Sequence, residues 1–383
     1  MTSFSGSVSF VGVGEAAPAG PTGRSALELG AEASLAALAD AGLAPSEVDG
    51  ILTGSPLAEP HLMFSTLLAE FLGLRPRLNA TLQVAGASPC LAILHAARAI
   101  AAGHCHTVLV CESDSRGARF TGDKTAAMRA ARPWTDDYED TFGITTPAKY
   151  ALIARRHMHR YGTRPEHLAA VAVTARQHAR RHPQAPRREP LTLEAVLASP
   201  MVADPLHVLD CCPVLDWGGA VVLTSAERAR DRRKPPVFLL GGGEGHNAYH
   251  LHELPELPGP ALRASAEAAF GMAGIRPGEV QVAQLFDAFT IAVLVALEEL
   301  GFCKPGEAGP FVAEGRTGPG GPLPVNTWGG MLTWGNAHIQ VLPEAVRQVR
   351  GEAGARQVPG ARLAVAHGAG GPLAVSCTLV LGG

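Results

Sequence analysis

A segment that occurs twice restricts the fold more than any other feature of this sequence. Residues 41–48 read AGLAPSEV and residues 273–280 read AGIRPGEV, at a constant offset of 232 residues. In both places an apolar helical pattern ends at a glycine, a proline follows, and an apolar strand pattern begins. Repetition of a helix, turn and strand together indicates an internal duplication. The sequence therefore predicts two copies of one α/β unit, residues 1–230 and residues 231–383.

The elements around the repeat recur in one order. In the first half, the loop 78–89 leads into an apolar helix and then the strand TVLVCES; in the second, the loop 323–338 leads into a helix at 339–350 and the strand RLAVAHGAGG. An earlier helix places apolar side chains toward the sheet at Leu27, Leu29, Ala33, Leu35, Leu38 and Ala39. A pseudo-twofold axis would bring the two loops together, so we expect a shared pocket between them.

An insertion of different composition separates the parts of the first half. Residues 115–204 are rich in arginine, histidine and proline, and we interpret them as a loop domain beside the pocket. Guanidinium groups bind phosphates through two parallel hydrogen bonds. A solvated helix face explains any single one of these arginines better than phosphate binding does. The candidates for a phosphate site are Arg176, Arg180, Arg181 and Arg187.

Composition narrows the class of protein. The chain has 383 residues, of which 46% are hydrophobic and 17% charged, as in ordinary globular proteins. Neither a leader peptide nor an apolar run of membrane-spanning length is visible, so we expect a cytoplasmic protein. The formal charge of -3 gives no reason to expect nucleic acid. The seven cysteines are scattered without a CxxC pair, so we expect no metal site.

Several segments together resemble the thiolase superfamily over nearly the whole chain. They are ALADAGLAPSEVDG, ASPCLAILHAARAIAAG, DPLHVLDCCPVLD, AVVLTSAERARD, FDAFTIAVLVALEELGFC, GPFVAEG and LPVNTWGG. The pattern is most similar to the branch of sterol carrier protein X and the lipid-transfer-type thiolase-like proteins. The resemblance implies an α/β thiolase fold with two duplicated five-layered α/β/α/β/α halves, an inserted loop domain and a homodimer. It also implies a coenzyme A thioester as substrate, with no tightly bound cofactor.

The reacting side chains of a thiolase are replaced in this sequence. The family's nucleophilic cysteine falls on Gly86, its asparagine on Phe286, its histidine on Asn336, and its second cysteine near His367. Cys90 lies further into the helix and is interpreted as a core residue. Ser88 stands closer to the loop but has no evident base. A covalent acyl-enzyme is therefore not expected.

Some lipid-transfer-type relatives without the cysteine are retro-aldolases, and the chain resembles these. They cleave a β-hydroxyacyl-CoA, usually beside a partner built from a zinc ribbon and an OB-fold. Their active-site tyrosines fall on Phe286 and Asn336 here, and the chain's tyrosines are Tyr138, Tyr150, Tyr161 and Tyr249. The acid–base group must then be another residue, or be absent. Histidine is the first candidate, because imidazole titrates near neutrality.

The candidates for this chemistry lie mainly in the glycine-rich loops. His338 and His367 are the leading acid–base candidates, His246 and Asp287 the weaker ones, and Asn336 with the Gly329 and Gly330 amides could stabilise the thioester oxygen. Trp328 and Trp334 either line an acyl pocket or pack against the loop. The leading hypothesis is (retro-)aldol chemistry on a β-hydroxyacyl-CoA. The alternatives are an acyltransferase with displaced catalytic residues or a partner subunit, and a non-catalytic subunit that binds coenzyme A esters.

Overall fold

A computed structural model describes residues 4–119, 139, 141 and 144–383 of the chain. Part of the predicted insertion, including Tyr138, lies outside the described residues, as do the side chains of residues 17–19, 118 and 119. The division of the chain between residues 230 and 231 stays a prediction, as do the bounds 115–204 of the loop domain.

The chain alternates strands and helices. The strands are β1 (Val8–Ala19), β2 (Gly50–Thr53), β3 (Leu78–Thr81), β4 (Thr107–Ser115), β5 (Met201–Ala203), β6 (Leu206–His207), β7 (Asp216–Ser225), β8 (Val237–His246), β9 (Val282–Gln284), β10 (Leu363–Gly370) and β11 (Val375–Gly382). The helices are α1 (Ala26–Ala41), α2 (Phe64–Phe71), α3 (Ser88–Ala101), α4 (Arg116–Arg119), α5 (Thr146–Tyr161), α6 (Pro165–Ala179), α7 (Leu193–Leu197), α8 (Ala226–Ala229), α9 (Ala261–Ala273), α10 (Thr290–Glu299), α11 (Ala308–Ala313), α12 (Met331–Trp334) and α13 (Val341–Arg350).

Hydrogen bonds join nine of the strands into one mixed sheet. Its order is β3-β2-β4-β7-β1-β8-β11-β10-β9, so five strands of the first half lie beside four of the second. β2 pairs in parallel with β3 and β4, and β9 with β10, whereas β7 and β11 are antiparallel to their neighbours. A short pairing of β1 with β8 joins the halves.

Helices pack in layers on both faces of the strands. The first half carries α1 on one face of β1 and β7, and the second carries α9 on β8 and β11. Between the halves, α3 and α13 each contact strands of both. Glycine permits the outer helices to approach closely, because a Cβ at Gly14 would lie 2.2 Å from the Ala33 carbonyl oxygen and one at Gly243 would lie 2.2 Å from that of Ser265. The thiolase fold expected from the sequence is confirmed.

The two repeated segments have the same local structure. Gly42 ends α1 at φ 66° and Gly274 ends α9 at φ 68°, both left-handed conformations that favour glycine. A 3-10 turn then begins at the proline of each copy, over Pro45–Glu47 and Pro277–Glu279, and a parallel strand follows. The duplication predicted from the sequence is confirmed.

Two local expectations were wrong. Leu35 and Ala39 of α1 face solvent, with Leu35 50% exposed, because the helix buries small residues such as Ser34 and Ala37 against the sheet instead. The loop 326–338 is not an open glycine-rich loop: residues 326–335 are buried, and α12 forms within it. Among the described residues, no helix is both long enough and apolar enough to cross a bilayer.

Candidate active site

The two loops predicted to face each other do meet, since the turn Ala85–Ala87 contacts the turn His338–Gln340. Gly86 lies in the 3-10 turn Ala85–Ala87 that precedes α3, and Phe286 follows β9. A Cβ at position 86 would lie 2.4 Å from Cε2 of Phe286 and 2.5 Å from the backbone oxygen of Ala369. The Phe286 ring thus occupies the space that a side chain at position 86 would need.

A carboxyl group and an imidazole face each other beside this ring. His338 stacks on Phe286 with ring centroids 6.1 Å apart, and Trp217 meets it edge-on at 5.8 Å. His338 Nδ1 lies 3.9 Å from Glu112 Oε2, beyond direct hydrogen-bond distance. Both atoms are buried, and neither has a hydrogen-bond partner among the described residues. Facing polar atoms without partners are uncommon in a protein interior, which makes this pair a candidate site.

Burial gives this pair unusual protonation states. Desolvation raises the pKa of Glu112 to about 8, and Arg116 opposes the rise. Desolvation and, to a smaller extent, the positive charge of Arg116 together lower the pKa of His338 to about 3. Arg116 is itself held by Asp114, whose Oδ2 accepts from Nε at 2.6 Å. At neutral pH the carboxyl is therefore a proton donor, and the imidazole is neutral and can accept.

Asn336 lies two residues before His338 in the chain and contacts Cys212. The Cys212 thiol donates to Asn336 Oδ1 at 2.5 Å, and the Cys212 amide donates to the Ala288 carbonyl at 2.9 Å. Burial raises the pKa of this thiol to about 12, so it stays protonated as a donor. These contacts fix the Asn336 carbonyl toward Cys212 and leave its amide group oriented elsewhere.

Asp287 supports the loop and also lines a cavity beside Asn326 and Thr174. It is fully buried and accepts from the Met331 amide at 2.7 Å, at the beginning of α12. A Cβ at Gly330 would lie 1.9 Å from Asp287 Oδ2, so the carboxylate packs directly beneath the loop backbone. The Gly329 amide donates to the Asn326 carbonyl at 2.8 Å, which occupies it. Asp287 thus positions the loop, and Gly329 is unsuited to an oxyanion hole.

The structure does not bring His367 to His338. The Gly368 position in β10 faces the Gly86 loop, since a Cβ there would lie 2.7 Å from the Gly86 carbonyl oxygen. Successive residues of a strand point to opposite faces, so His367 points away. Its Nε2 contacts Ser376 Oγ at 3.0 Å, and Ser376 in turn contacts Ser265 of α9 at 2.7 Å. His246 is exposed at the end of β8.

Other candidates have structural roles in the described part of the chain. Ser88 Oγ donates to the Ala85 carbonyl at 2.7 Å and accepts from the Val84 amide at 2.9 Å, which closes the turn before α3. Trp328 and Trp334 are both buried and meet edge-to-face at 5.6 Å. They pack under the loop and do not line an open surface. Cys90 is buried in the core, as expected.

The arginines differ from one another. Arg176 is 9% exposed, and Arg187 is partly buried, whereas Arg180 and Arg181 are exposed. Arg176 Nη1 donates to the Glu189 carbonyl at 3.0 Å. Arg176 is therefore held within the structure, and Arg187 is only partly removed from solvent.

Sequence reasoning missed Glu112, Arg116, Trp217 and Cys212. Glu112 had a signal, because it is the first acid after the apolar residues 108–111 of strand β4. Nothing in the sequence pairs it with a histidine in the other half.

The structure brings together one cluster of possible metal ligands that the sequence analysis did not consider. Glu139, His250 and His252 place ligand atoms within 4.8 Å of one another. Lys149 forms an ion pair with the same carboxylate. Although burial would raise the pKa of Glu139, the hydrogen bond from Lys149 helps to lower it to about 2. The carboxylate charge is thus already compensated by an ammonium group.

Two family models match the sequence. The thiolase N-terminal domain matches residues 19–227, and the thiolase C-terminal domain-like model matches residues 243–383. The chain belongs to the thiolase superfamily. Within it, the chain falls in the branch of sterol carrier protein 2 and the Ltp2-like aldolases, where the sequence resemblance placed it. The expectation from the sequence is confirmed.

The relatives include enzymes that cleave carbon–carbon bonds. A steroid side-chain-cleaving aldolase of Thermomonospora curvata is 37% identical over 373 residues, 92% of each chain. The 17-hydroxy-3-oxo-4-pregnene-20-carboxyl-CoA lyase of Mycobacterium tuberculosis is 37% identical over 362 residues, 91% of this chain and 92% of the lyase. The solved Ltp2-ChsH2(DUF35) aldolase superposes with a TM-score of 0.89 at 33% identity, covering 100% of this chain and 99% of that one.

Proposed function

We propose that this protein cleaves a β-hydroxyacyl-CoA, or forms it in reverse, by aldol chemistry without a covalent intermediate. The observation that carries the proposal is the buried pair of Glu112 and His338, whose facing atoms lie 3.9 Å apart without partners in the described structure. The similarity to aldolases and lyases that include a coenzyme A ester lyase supports the substrate class.

The pair supplies both proton transfers of a retro-aldol reaction. Neutral His338 accepts the proton of the β-hydroxyl as the bond between the α and β carbons breaks, and an aldehyde or ketone leaves. The bonding electrons pass into the thioester enolate. Protonated Glu112 then delivers its proton to the α carbon. A proton passes from the imidazolium to the carboxylate across the gap between them, which restores both groups.

The environment of the pair favours this sequence of steps. Phe286 and Trp217 surround the imidazole with apolar surface, so a positive charge on His338 would be poorly solvated. The uptake of a proton by His338 is therefore coupled to its transfer to Glu112. Asn336 stands where a thiolase has its histidine, and its amide group can donate to the thioester oxygen. This assignment replaces His367 and Asp287, whose contacts are structural.

The Gly86 region argues against thiolase chemistry in this chain. Thiolases attack with a cysteine at the corresponding position, and Phe286 fills the space that such a side chain would need. Buried Cys90 has a pKa raised far above the usual range by desolvation, so it is not a thiolate. Acyl transfer through another residue is the rival activity, and a subunit that only binds coenzyme A esters is a second rival.

The test incubates the purified chain with 3-hydroxyhexanoyl-CoA, with and without a zinc-ribbon/OB-fold partner. Aldol cleavage yields butanal and acetyl-CoA, measured by aldehyde trapping and chromatography. We expect His338→Ala and Glu112→Gln each to lower kcat by about 100-fold or more while ester binding changes little. His104→Gln, at an exposed position, is the matched control.

Three outcomes would contradict the proposal. Cleavage that persists in both variants would remove Glu112 and His338 from the reaction. A labelled acyl group recovered covalently on the protein would indicate acyl transfer. Ester binding without turnover, with and without the partner, would indicate a binding subunit.

We propose that this chain binds a partner protein and that it also forms a homodimer. The similarity to the Ltp2-ChsH2(DUF35) aldolase supports a partner of the ChsH2 (DUF35) class. For a homodimer, the support is strand β3, which ends the nine-stranded sheet with one edge unpaired among the described residues. Exposed Leu62, Met63 and Phe71 lie on the adjoining segment. An unpaired edge beside apolar side chains is a typical site of strand addition between subunits.

A further inference from the structure

Tyr150 of α5 contacts two backbone segments that belong to the second half of the chain. Its ring stacks on Phe289, with the ring centroids 4.3 Å apart and the planes inclined by 24°. Its hydroxyl donates to the backbone carbonyl of Gly371 at 2.7 Å. The side chain is buried, so both contacts are shielded from water. The proposed reaction gives this tyrosine no role, and its contacts indicate what that role is.

Gly371 begins the tight turn 371–374 that joins β10 to β11, and this turn adjoins the turn around Gly86. A Cβ at Gly370 would lie 1.9 Å from the backbone oxygen of Val84, so the end of β10 lies directly against the residues that precede Gly86. The turn that contains Gly86 also contacts the turn that begins at His338. A shift of the turn 371–374 would therefore be passed on to the backbone beside His338.

Both turns contain a residue in a conformation that side chains seldom adopt. Ala85 has φ 54° and Leu373 has φ 61°, which are values in the left-handed region that favours glycine. Such conformations persist where the surrounding contacts hold them in place. In the turn 371–374 two side chains bind carbonyl groups: the hydroxyl of Tyr150 binds that of Gly371, and the amide of Asn247 binds that of Leu373 at 3.2 Å. The Tyr150 hydroxyl therefore helps to hold a strained turn.

The stacked ring of Tyr150 contacts the segment that carries Phe286. Phe289 directly precedes α10 and lies three residues after Phe286, whose own ring stacks on His338. Phe286 also occupies the space beside Gly86, where a Cβ would lie 2.4 Å from its Cε2 atom. Tyr150 thus binds the turn that packs against the Gly86 turn and, through Phe289, the segment that packs against the same turn from the other side.

We infer that Tyr150 is a positioning residue for the reaction at Glu112 and His338. Its hydroxyl holds the turn 371–374 and its ring holds Phe289, so the Gly86 turn keeps its place beside His338. This inference rests on the proposed function for the identity of the reaction. The hydroxyl hydrogen is directed to a backbone carbonyl, so Tyr150 acts through the backbone and not on the substrate. A small misplacement of the groups around a bound substrate lowers the rate strongly, even when its cause is remote from the reacting atoms.

The test removes one hydroxyl group from the full chain and follows both rate and backbone motion. Tyr150→Phe keeps the stacked ring and loses the bond to Gly371. With 3-hydroxyhexanoyl-CoA we expect kcat to fall about 10-fold while KM changes less than about threefold. Hydrogen–deuterium exchange should become faster in the peptides that cover residues 84–87 and 369–375. Tyr161→Phe, at the end of the same helix, is the matched control, since no hydrogen bond joins its hydroxyl to a described residue.

The results separate this inference from the proposed function. Cleavage by the unaltered protein with an unchanged kcat in Tyr150→Phe would overturn the inference and leave the proposed function standing. A lower kcat without faster exchange in either segment would also overturn it, because the hydroxyl would then act on the substrate. If the unaltered protein cleaves no ester, the proposed function fails and exchange decides: faster exchange that includes residues 84–87 supports the positioning of the Gly86 turn, and exchange that is unchanged there overturns it. Circular dichroism of each variant confirms the fold.

Discussion

Replacement of Gly86 by alanine tests whether Phe286 fills the position that the sequence resemblance assigns to the thiolase nucleophile. The added Cβ would lie 2.4 Å from Phe286 Cε2 and 2.5 Å from the Ala369 carbonyl oxygen. Carbon atoms in favourable contact are about 3.5–4.0 Å apart, so the ring would have to move by more than about 1 Å. The carbonyl belongs to β10, which is paired with both β9 and β11 and cannot move alone.

We expect Gly86→Ala to lower the free energy of unfolding by about 3 kcal/mol, the upper part of the range for overpacked cores. Gly86 is not among the residues with positive φ, so the loss would come from contact and not from backbone strain. Urea unfolding followed by tryptophan fluorescence measures it. Gly271→Ala is the control: this glycine lies within α9 with no atom near its Cβ position, and alanine there should stabilise by about 0.5–1 kcal/mol.

A second substitution identifies the partner in the clash. The double variant Gly86→Ala/Phe286→Leu should lose less free energy of unfolding than the two single changes added together, by at least about 0.5 kcal/mol, because the smaller leucine leaves room for the new Cβ. An unchanged urea midpoint for Gly86→Ala, or strict additivity in the double variant, would refute the packing argument. It would also reopen the question of whether a nucleophile could be accommodated at this position.

Three further predictions follow from the contacts described. Burial raises the pKa of Glu112 to about 8 from 4.5, so cleavage should decline as pH rises through about 8 in the native protein and not in Glu112→Gln. The same shift should weaken folding as pH rises from about 4.5 to about 8, and urea titrations of the two proteins should show this difference. His367→Ala should lower unfolding free energy by about 2 kcal/mol through loss of the Ser376 contact and leave kcat within about threefold; a large loss of kcat without destabilisation would assign it to catalysis. Phe71→Glu, beside the unpaired edge of β3, should convert the proposed dimer to monomers in light scattering, and an unaltered mass would place the interface elsewhere.

The sequence determined the architecture because its signals are local. A glycine that ends a helix, a proline that follows and an apolar strand specify the same turn wherever they occur, so the repeat could be identified before the fold was known. The same reasoning placed a loop before α3 and another before α13 and predicted that they meet. The turn that contains Gly86 does contact the turn that begins at His338, and the duplication places these turns at the equivalent ends of α3 and α13.

Only the tertiary structure decided which side chains share the site. Alternation along β10 is a local property, but whether His367 or Gly368 faces the Gly86 loop depends on the packing of α9 and α3 against opposite faces of the sheet. His367 therefore points to Ser376 although its sequence context suggests an active-site residue. Glu112 and His338 belong to different halves of the chain, and no periodicity within either half relates them. Their contact, and the protonation states that follow from burial, exist only after the two halves have packed together.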